Sequence, residues 1–422
     1  MACFIPFQAV SPKKEYAAKV AALPYDVMNS AEAKEMVKDN PYSFLHVDKA
    51  EIDLPDGTYL YDDTVYAKAK ENLNSLITNG IMQKSILYNF YIYRQIMNGR
   101  SQTGLVGCAS IDDYLNNIIK KHELTRADKE QDRIRHVDTC NANTGPIFLT
   151  YKKADKVKEI IAKWQDENEP EYDFVSDGVR QTVWVIDDSD TNIEIIEEFD
   201  KIDSLYIADG HHRCASAVKV GLKRREEYLS STDDVDEDFI HEKEFNYFLA
   251  VCFPCDELEI MDYNRLIRDT NGYTANQILT LISENFEFEC VKSSTPYKPT
   301  DKHTFGMYLD GRWYKLTAKE GTFDKNDPVA QLDVSILQNN LISKVFGITD
   351  PRTDKRIDFV GGIRGLEELE RRASNDMKIA FSMYPTTLED LTDIADAGMI
   401  MPPKSTWFEP KLLSGLFIHE LS

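Results

Sequence analysis

The stretch Asp209-Gly210-His211-His212-Arg213 constrains this chain more than any other. The apolar run Leu205-Tyr206-Ile207-Ala208 reads as a strand, Asp209-Gly210 as a turn, and the small and apolar residues from Cys214 through Val218 and Val220 as a helix. That order sets Gly210 to Arg213 at a helix N-terminus, where unpaired backbone N–H groups and the helix dipole attract an anion and glycine lets a phosphate approach the backbone. His211, His212 and Arg213 add side-chain donors, and Asp209 is a candidate metal ligand or proton acceptor. A capped corner with solvated histidines is the plainer reading, but such corners rarely stack so many functional groups.

At 422 residues the chain exceeds one ordinary core, so two or three domains are expected. The formal net charge of −23 argues against a duplex-coating or anionic-membrane surface, so no nucleic-acid or membrane partner is expected. A phosphorylated ligand would then need a local basic island. No run of about eighteen apolar residues exists, and Met1-Ala2-Cys3-Phe4-Ile5-Pro6 lacks signal-peptide character, so a soluble cytoplasmic protein is expected, its oligomeric state left open. Seven cysteines scattered through apolar runs suit reduced thiols. Cys252-Phe253-Pro254-Cys255 has redox or zinc spacing but no second pair, and reads as core.

In chain order, Asn29 or Ser30 caps an expected helix Ala31 to Lys38, and Asn40-Pro41-Tyr42-Ser43-Phe44-Leu45-His46-Val47 turns into an expected strand. Asp26 and His46 are candidates to face a cleft, although a lone carboxylate and a lone histidine are more often structural. Tyr61 to Thr78 is an amphipathic helix. Two strand-like runs, Ile86 to Met97 and Ser101 to Ile111, flank Asn98-Gly99, the favoured two-residue hairpin turn, which points to an antiparallel sheet rather than a dinucleotide fold.

The basic island lies between Ile118 and His136, where six lysines and arginines face four acids. From Ala127 the spacing is helical, placing Lys129, Arg133 and His136 along one face, with a solvated, ion-paired helix as the equal alternative. His122-Glu123 ends the strand before it, where a carboxylate can reach a ligand; Arg126 follows. Asn141 to Pro146 leads into the strand Ile147 to Tyr151, and Lys223 to Lys243 reads as a charged surface loop. Asp262-Tyr263-Asn264-Arg265 reads as a turn. Gly361-Gly362 would seat a phosphate or serve packing equally well. The stretch Met401 to Lys411, proline-pinned, polar and aromatic, reads as a ligand-binding loop.

Together, Leu23-Pro24-Tyr25-Asp26-Val27, the Asn40 to Val47 segment, Lys121-His122-Glu123, Asn143-Thr144-Gly145-Pro146, the Asp209 to Arg213 block and Lys404-Ser405-Thr406-Trp407-Phe408 resemble the domain-of-unknown-function 1015 family over the full length. Lys121-His122-Glu123 and the Asp209 to Arg213 block also resemble the ParB/sulfiredoxin-like superfamily, and within it the free serine kinases. The resemblance implies Glu123 as the carboxylate that activates a serine hydroxyl and Asp209 as the acidic residue, and magnesium ligand, beside the phosphates. It makes His211, His212 and Arg213 the phosphate cradle; Gly210 at the helix start and His122, Arg126, Lys129 and Arg133 of the basic island are the further candidate contacts to a nucleotide, ATP or ADP. Asp26, His46, Asn143, Thr144, Lys404, Ser405, Thr406 and Trp407 are the candidate contacts to serine or a similar small substrate.

The expected fold is α+β, with mixed, largely antiparallel sheets and flanking helices, in three regions: 1–115, a ParB/sulfiredoxin-like domain at 116–290, and 291–422. The expected activity is phosphotransfer from a nucleotide to a small hydroxy compound, with a non-catalytic nucleotide-binding regulator as the rival. No Walker lysine motif or kinase catalytic-loop motif is present. A nuclease is disfavoured by the charge, and sulfiredoxin-like repair by the place of Cys214, after the arginine.

Overall fold

Asn98-Gly99 forms the expected turn, both residues at positive φ (50° and 81°), and folds β2 (Phe90–Met97) onto β3 (Arg100–Ser110) in antiparallel register from Tyr91 opposite Val106 to Met97 opposite Arg100. The computed structural model describes residues 1–231, 242–293 and 295–422. Around this hairpin a nine-stranded sheet is built, with β1 (Phe4–Ile5), β4 (Ile119–Lys120), β5 (Ile147–Tyr151), β6 (Tyr172–Ser176), β7 (Val179–Ile186), β8 (Leu205–Asp209) and β9 (Tyr247–Pro254). Its order is β4-β8-β5-β9-β3-β2-β7-β6, with β1 beside β3. Only β4 with β8 and β5 with β9 run parallel among these pairs; the rest are antiparallel. The α+β class with largely antiparallel sheets therefore holds.

Helices flank the sheet: α1 (Asp63–Thr78), α2 (Ala127–Cys140) and α3 (His211–Ser231). One face of the sheet buries Phe4, Phe90, Ile92, Leu105, Leu149 and Phe248 in its principal core. At about 1.5–3 kcal/mol per buried large apolar side chain, that core supplies the main favourable term.

The chain divides into two compact units, residues 1–258 with 410–422, and residues 259–409. The boundaries expected near 115 and 290 fall inside these units, because strands from before residue 115 and after it share one ladder. The second unit has a six-stranded antiparallel sheet in the order Phe286–Cys290, Arg312–Ala318, Thr304–Leu309, Ile379–Ser382, Tyr263–Ile267, Ile357–Gly361. Asp262 to Arg265 thus enters a strand instead of a turn. Its Asn264 Oδ1 accepts from Met383 N–H at 2.9 Å.

Two other local expectations change. Leu45–Asp48 is a helical turn instead of a strand, held because His46 reaches Asp53 and the Asn40 carbonyl. Lys223 to Ser231 continues α3 instead of looping out, with Lys223 and Arg224 paired to Asp138 of α2; the acidic run that follows lies outside the described residues through 241. Among the described residues no helix is long and apolar enough to cross a membrane.

Candidate functional site

The site grows from the end of β8. Asp209 closes the strand, Gly210 turns at φ +92°, and α3 begins at His211. A Cβ on Gly210 would lie 3.1 Å from Arg213 Nε, so only glycine allows both the turn and the close guanidinium. Arg213 Nη1 donates to the Pro146 carbonyl at 2.7 Å, which tethers it over the loop before β5. Asp209 Oδ1 accepts from Gly210 N–H at 2.8 Å, and Oδ2 lies 3.1 Å from Lys411 Nζ. Burial raises the Asp209 carboxyl, but Lys411 and then Arg213 outweigh it and hold the group well below the usual carboxylate range.

The segment after β4 completes the constellation. His122 and His211 meet edge to face, ring centroids 4.5 Å apart, and both are almost wholly buried. Glu123 Oε2 is 3.9 Å from His211 Nδ1, with 42% of its side chain exposed. Arg126 N–H donates to His212 Nε2 at 3.0 Å, which makes that nitrogen an acceptor and links the basic segment to α3. Ser216 Oγ ties the helices further by donating to the Glu130 and His212 carbonyls. Residues about eighty-five positions apart in sequence are thus brought together as Glu123, His122, Asp209, His211, His212 and Arg213.

Several nitrogens in this cluster have no hydrogen-bond partner although buried: Arg213 Nε, both ring nitrogens of His122 and His211 Nε2. An unsatisfied buried polar group costs about 1–3 kcal/mol, so such a concentration weighs against stability and singles this corner out as the candidate site. Burial also lowers His122, to about 4 against a weaker pull upward from Asp209, and lowers His211, with His122 adding to the effect. Both are neutral imidazoles near pH 7, each with one N–H to give.

These shifts predict a pH dependence. The unfolded chain protonates His122 near 6.5 and the native state only near 4, so as pH falls through that window the unfolded state gains protons the fold does not. Stability should drop by about 3 kcal/mol from this residue across the window. His46, raised by Asp53, has the opposite sign. Urea unfolding of the parent and of His122→Asn between pH 7.5 and 4.5 checks this: the variant should show the shallower loss, and parallel curves would refute it.

Other candidates have different company. Arg133 is buried, with Nε donating to Asp132 at 3.0 Å and its guanidinium 4.0 Å above the Tyr25 ring. Lys129 sits 6.0 Å over Tyr61, and the Arg126 side chain pairs with Asp128. His46 spends both ring nitrogens on Asp53 and the Asn40 carbonyl. Asn143 Oδ1 accepts from Leu249 N–H and meets His419 Nδ1, inside the pairing of Ala142–Asn143 with His419–Glu420. Thr144 Oγ1 donates to Asp48 at 2.9 Å in a small cavity shared with Tyr25, Arg133, His136 and Arg213. Asp26 is exposed and lies near enough to His212 to oppose the burial that lowers its pKa.

Lys404, Ser405, Thr406 and Trp407 belong to the second unit. There Ser405 Oγ donates to the Pro402 carbonyl, and Trp407 fills the space over Gly361, where a Cβ would sit 2.7 Å from the indole. Gly361-Gly362 therefore serves packing. Cys252 is buried in β9, and the Cys214 thiol is buried and pushed up by desolvation.

Sequence reasoning placed Lys411 in the loop but not in the site; its partner is 202 positions away. Its presence also decides the magnesium expected at Asp209. Among the described residues no group of three or more histidines, cysteines and acids is placed to hold a metal. Asp209 is a single carboxylate whose Oδ2 is already paired with the Lys411 ammonium, and a divalent ion there would have to displace that cation. The donors at Asp209 do not fit a resident magnesium ion.

Against solved structures, free serine kinase in complex with AMP aligns with 75% of this chain and 87% of its own at 12% identity, TM-score 0.35. A conserved hypothetical protein from Pyrococcus furiosus aligns with 76% and 97% at 13%, TM-score 0.35. SbnI with C-terminal truncation from Staphylococcus aureus aligns with 73% and 85% at 10%, TM-score 0.36. These likenesses are too distant to assign an activity. No curated protein matches the chain. The profile of the family described as "Protein of unknown function (DUF1015)" matches residues 4–335, and the chain belongs to that family.

Proposed function

We propose that the chain is a phosphotransferase that moves a phosphoryl group from a nucleotide to the hydroxyl of serine or a similar small compound. One observation carries the reading: buried, unpartnered nitrogens of Arg213, His122 and His211 cluster at the start of a long helix, beside a carboxylate that is partly open to solvent. Helix N–H groups and the arginine would hold the phosphates; neutral imidazoles would donate to the transferring oxygens. Glu123, flanked by His211, is the group placed to take the proton of an incoming hydroxyl. No step is assigned to magnesium.

Arg213 is the cation whose loss should weaken binding most. Charge-assisted hydrogen bonds contribute about 1.5–3 kcal/mol each, so Arg213→Met is expected to weaken AMP or ADP binding by about 10–100-fold in calorimetric titration. Unchanged affinity would remove Arg213 from the cradle.

The function itself is tested by incubating the full chain with ATP or ADP and a pool of hydroxy amino acids, then following phosphorus resonances for a phosphomonoester. Binding without conversion would replace the transferase by a nucleotide-binding regulatory protein.

A further inference from the structure

A buried polar network in the large sheet has no part in the chemistry so far described. Gln95, Gln102 and Gln181 lie within the adjacent strands β2, β3 and β7, each at most 1% exposed. Gln102 Nε2 donates to Gln95 Oε1 at 3.0 Å, and Tyr93 Oη donates to Gln181 Oε1. Gln95 Nε2 lies 3.2 Å from Gln181 Oε1 and, at 2.9 Å, donates out of the network to the main-chain carbonyl of Lys411. Buried glutamines in a sheet cost desolvation that only their hydrogen bonds offset, and one of those bonds leaves the sheet. Here what they position is Lys411, whose side chain is 13% exposed and whose ammonium rests 3.1 Å from Asp209 Oδ2.

Resting on the reading of this pocket as a phosphate site, we propose that Lys411 supplies the counter-charge that a divalent metal ion provides in other phosphate sites, so that the pocket takes a phosphate dianion without magnesium. Asp209 is the holder of that cation, with its other oxygen on Gly210 N–H at the turn. Arg213, tethered through Pro146, lies near enough to help hold the carboxylate ionised. Two cations against Asp209 leave net positive charge for an incoming phosphate, and the ammonium already occupies Asp209 Oδ2, the oxygen not held by Gly210 N–H. Lys411 acts as a binding residue in this scheme; the glutamines act through it and are positioning residues.

The test is titration of inorganic phosphate and of AMP into the full chain, once in EDTA and once in excess magnesium. The parent should bind equally in both. Lys411→Met should lose at least about tenfold in EDTA and regain affinity when magnesium is added, since Asp209 is then open to the ion, while Lys411→Arg should keep metal-independent binding. Circular dichroism and thermal unfolding establish that each variant is folded. Parent binding that requires magnesium, or an unchanged Lys411→Met, overturns this inference and leaves the phosphate site standing. Absence of binding in both conditions overturns the phosphate-site reading, and this inference with it.

Discussion

Replacing Glu123 by glutamine is expected to lower phosphoryl transfer by about 10²–10⁴-fold, the usual contribution of a positioned general base, while nucleotide binding persists. The variant keeps the size of the side chain and loses only the ability to take a proton. Because Glu123 is 42% exposed and 3.9 Å from His211, its replacement should not disturb the core beneath. The informative measurement is the split: kcat falls, AMP affinity by calorimetry stays, and the urea midpoint is unmoved. Turnover at the parent rate would dismiss Glu123 as the base. An equal loss of binding and turnover would instead make it part of the cradle.

Arg133→Met is expected to destabilise the first unit by about 3–5 kcal/mol, the range for breaking a buried ion pair from one side. Asp132 and Arg133 are each 8% exposed; Asp132 receives Arg133 on one oxygen and the Tyr66 hydroxyl on the other. Removing the guanidinium leaves a buried carboxylate with the neutral Tyr66 hydroxyl in place of a charged partner. Denaturant unfolding should show the loss, and Asp132→Asn combined with Arg133→Met should recover part of it, because the stranded charge is gone. A loss under about 1 kcal/mol would show that the pair is solvated in solution.

How much of this was legible depended on the distance over which each feature is determined. The Asn98-Gly99 hairpin and the Asn29 capping box with Glu32 are local, and their chemistry is written in two to four adjacent residues. The Asp209 to Arg213 corner was likewise readable, since strand, turn and helix each left their own periodicity. Phe44-Leu45-His46-Val47 misled because its aromatic and branched residues favour a strand, while the helical turn is imposed by Asp53 and Asn40 gripping His46. Arg133 and Lys129 share a helical face with cations in view, yet the sequence does not show which acid or ring will claim each. Lys411 is the clearest case: nothing near it announces Asp209. The two units escaped notice because no compositional linker separates residue 258 from 259 or 409 from 410.

The return of residues 410–422 to the first unit carries a consequence for biosynthesis. Leu416, Phe417 and Ile418 are fully buried there, and Gly415 packs against Phe44, so the apolar cluster around Phe44 and Ile418 stays incomplete until the last of these residues has left the ribosome. The 151 residues of the second unit emerge before that moment and are free to fold first, reversing the order in which the two were begun. Because Lys411 arrives with the same late segment, a nascent chain caught earlier would carry Asp209 with Arg213 as its remaining cation, a corner less able to draw in an anion.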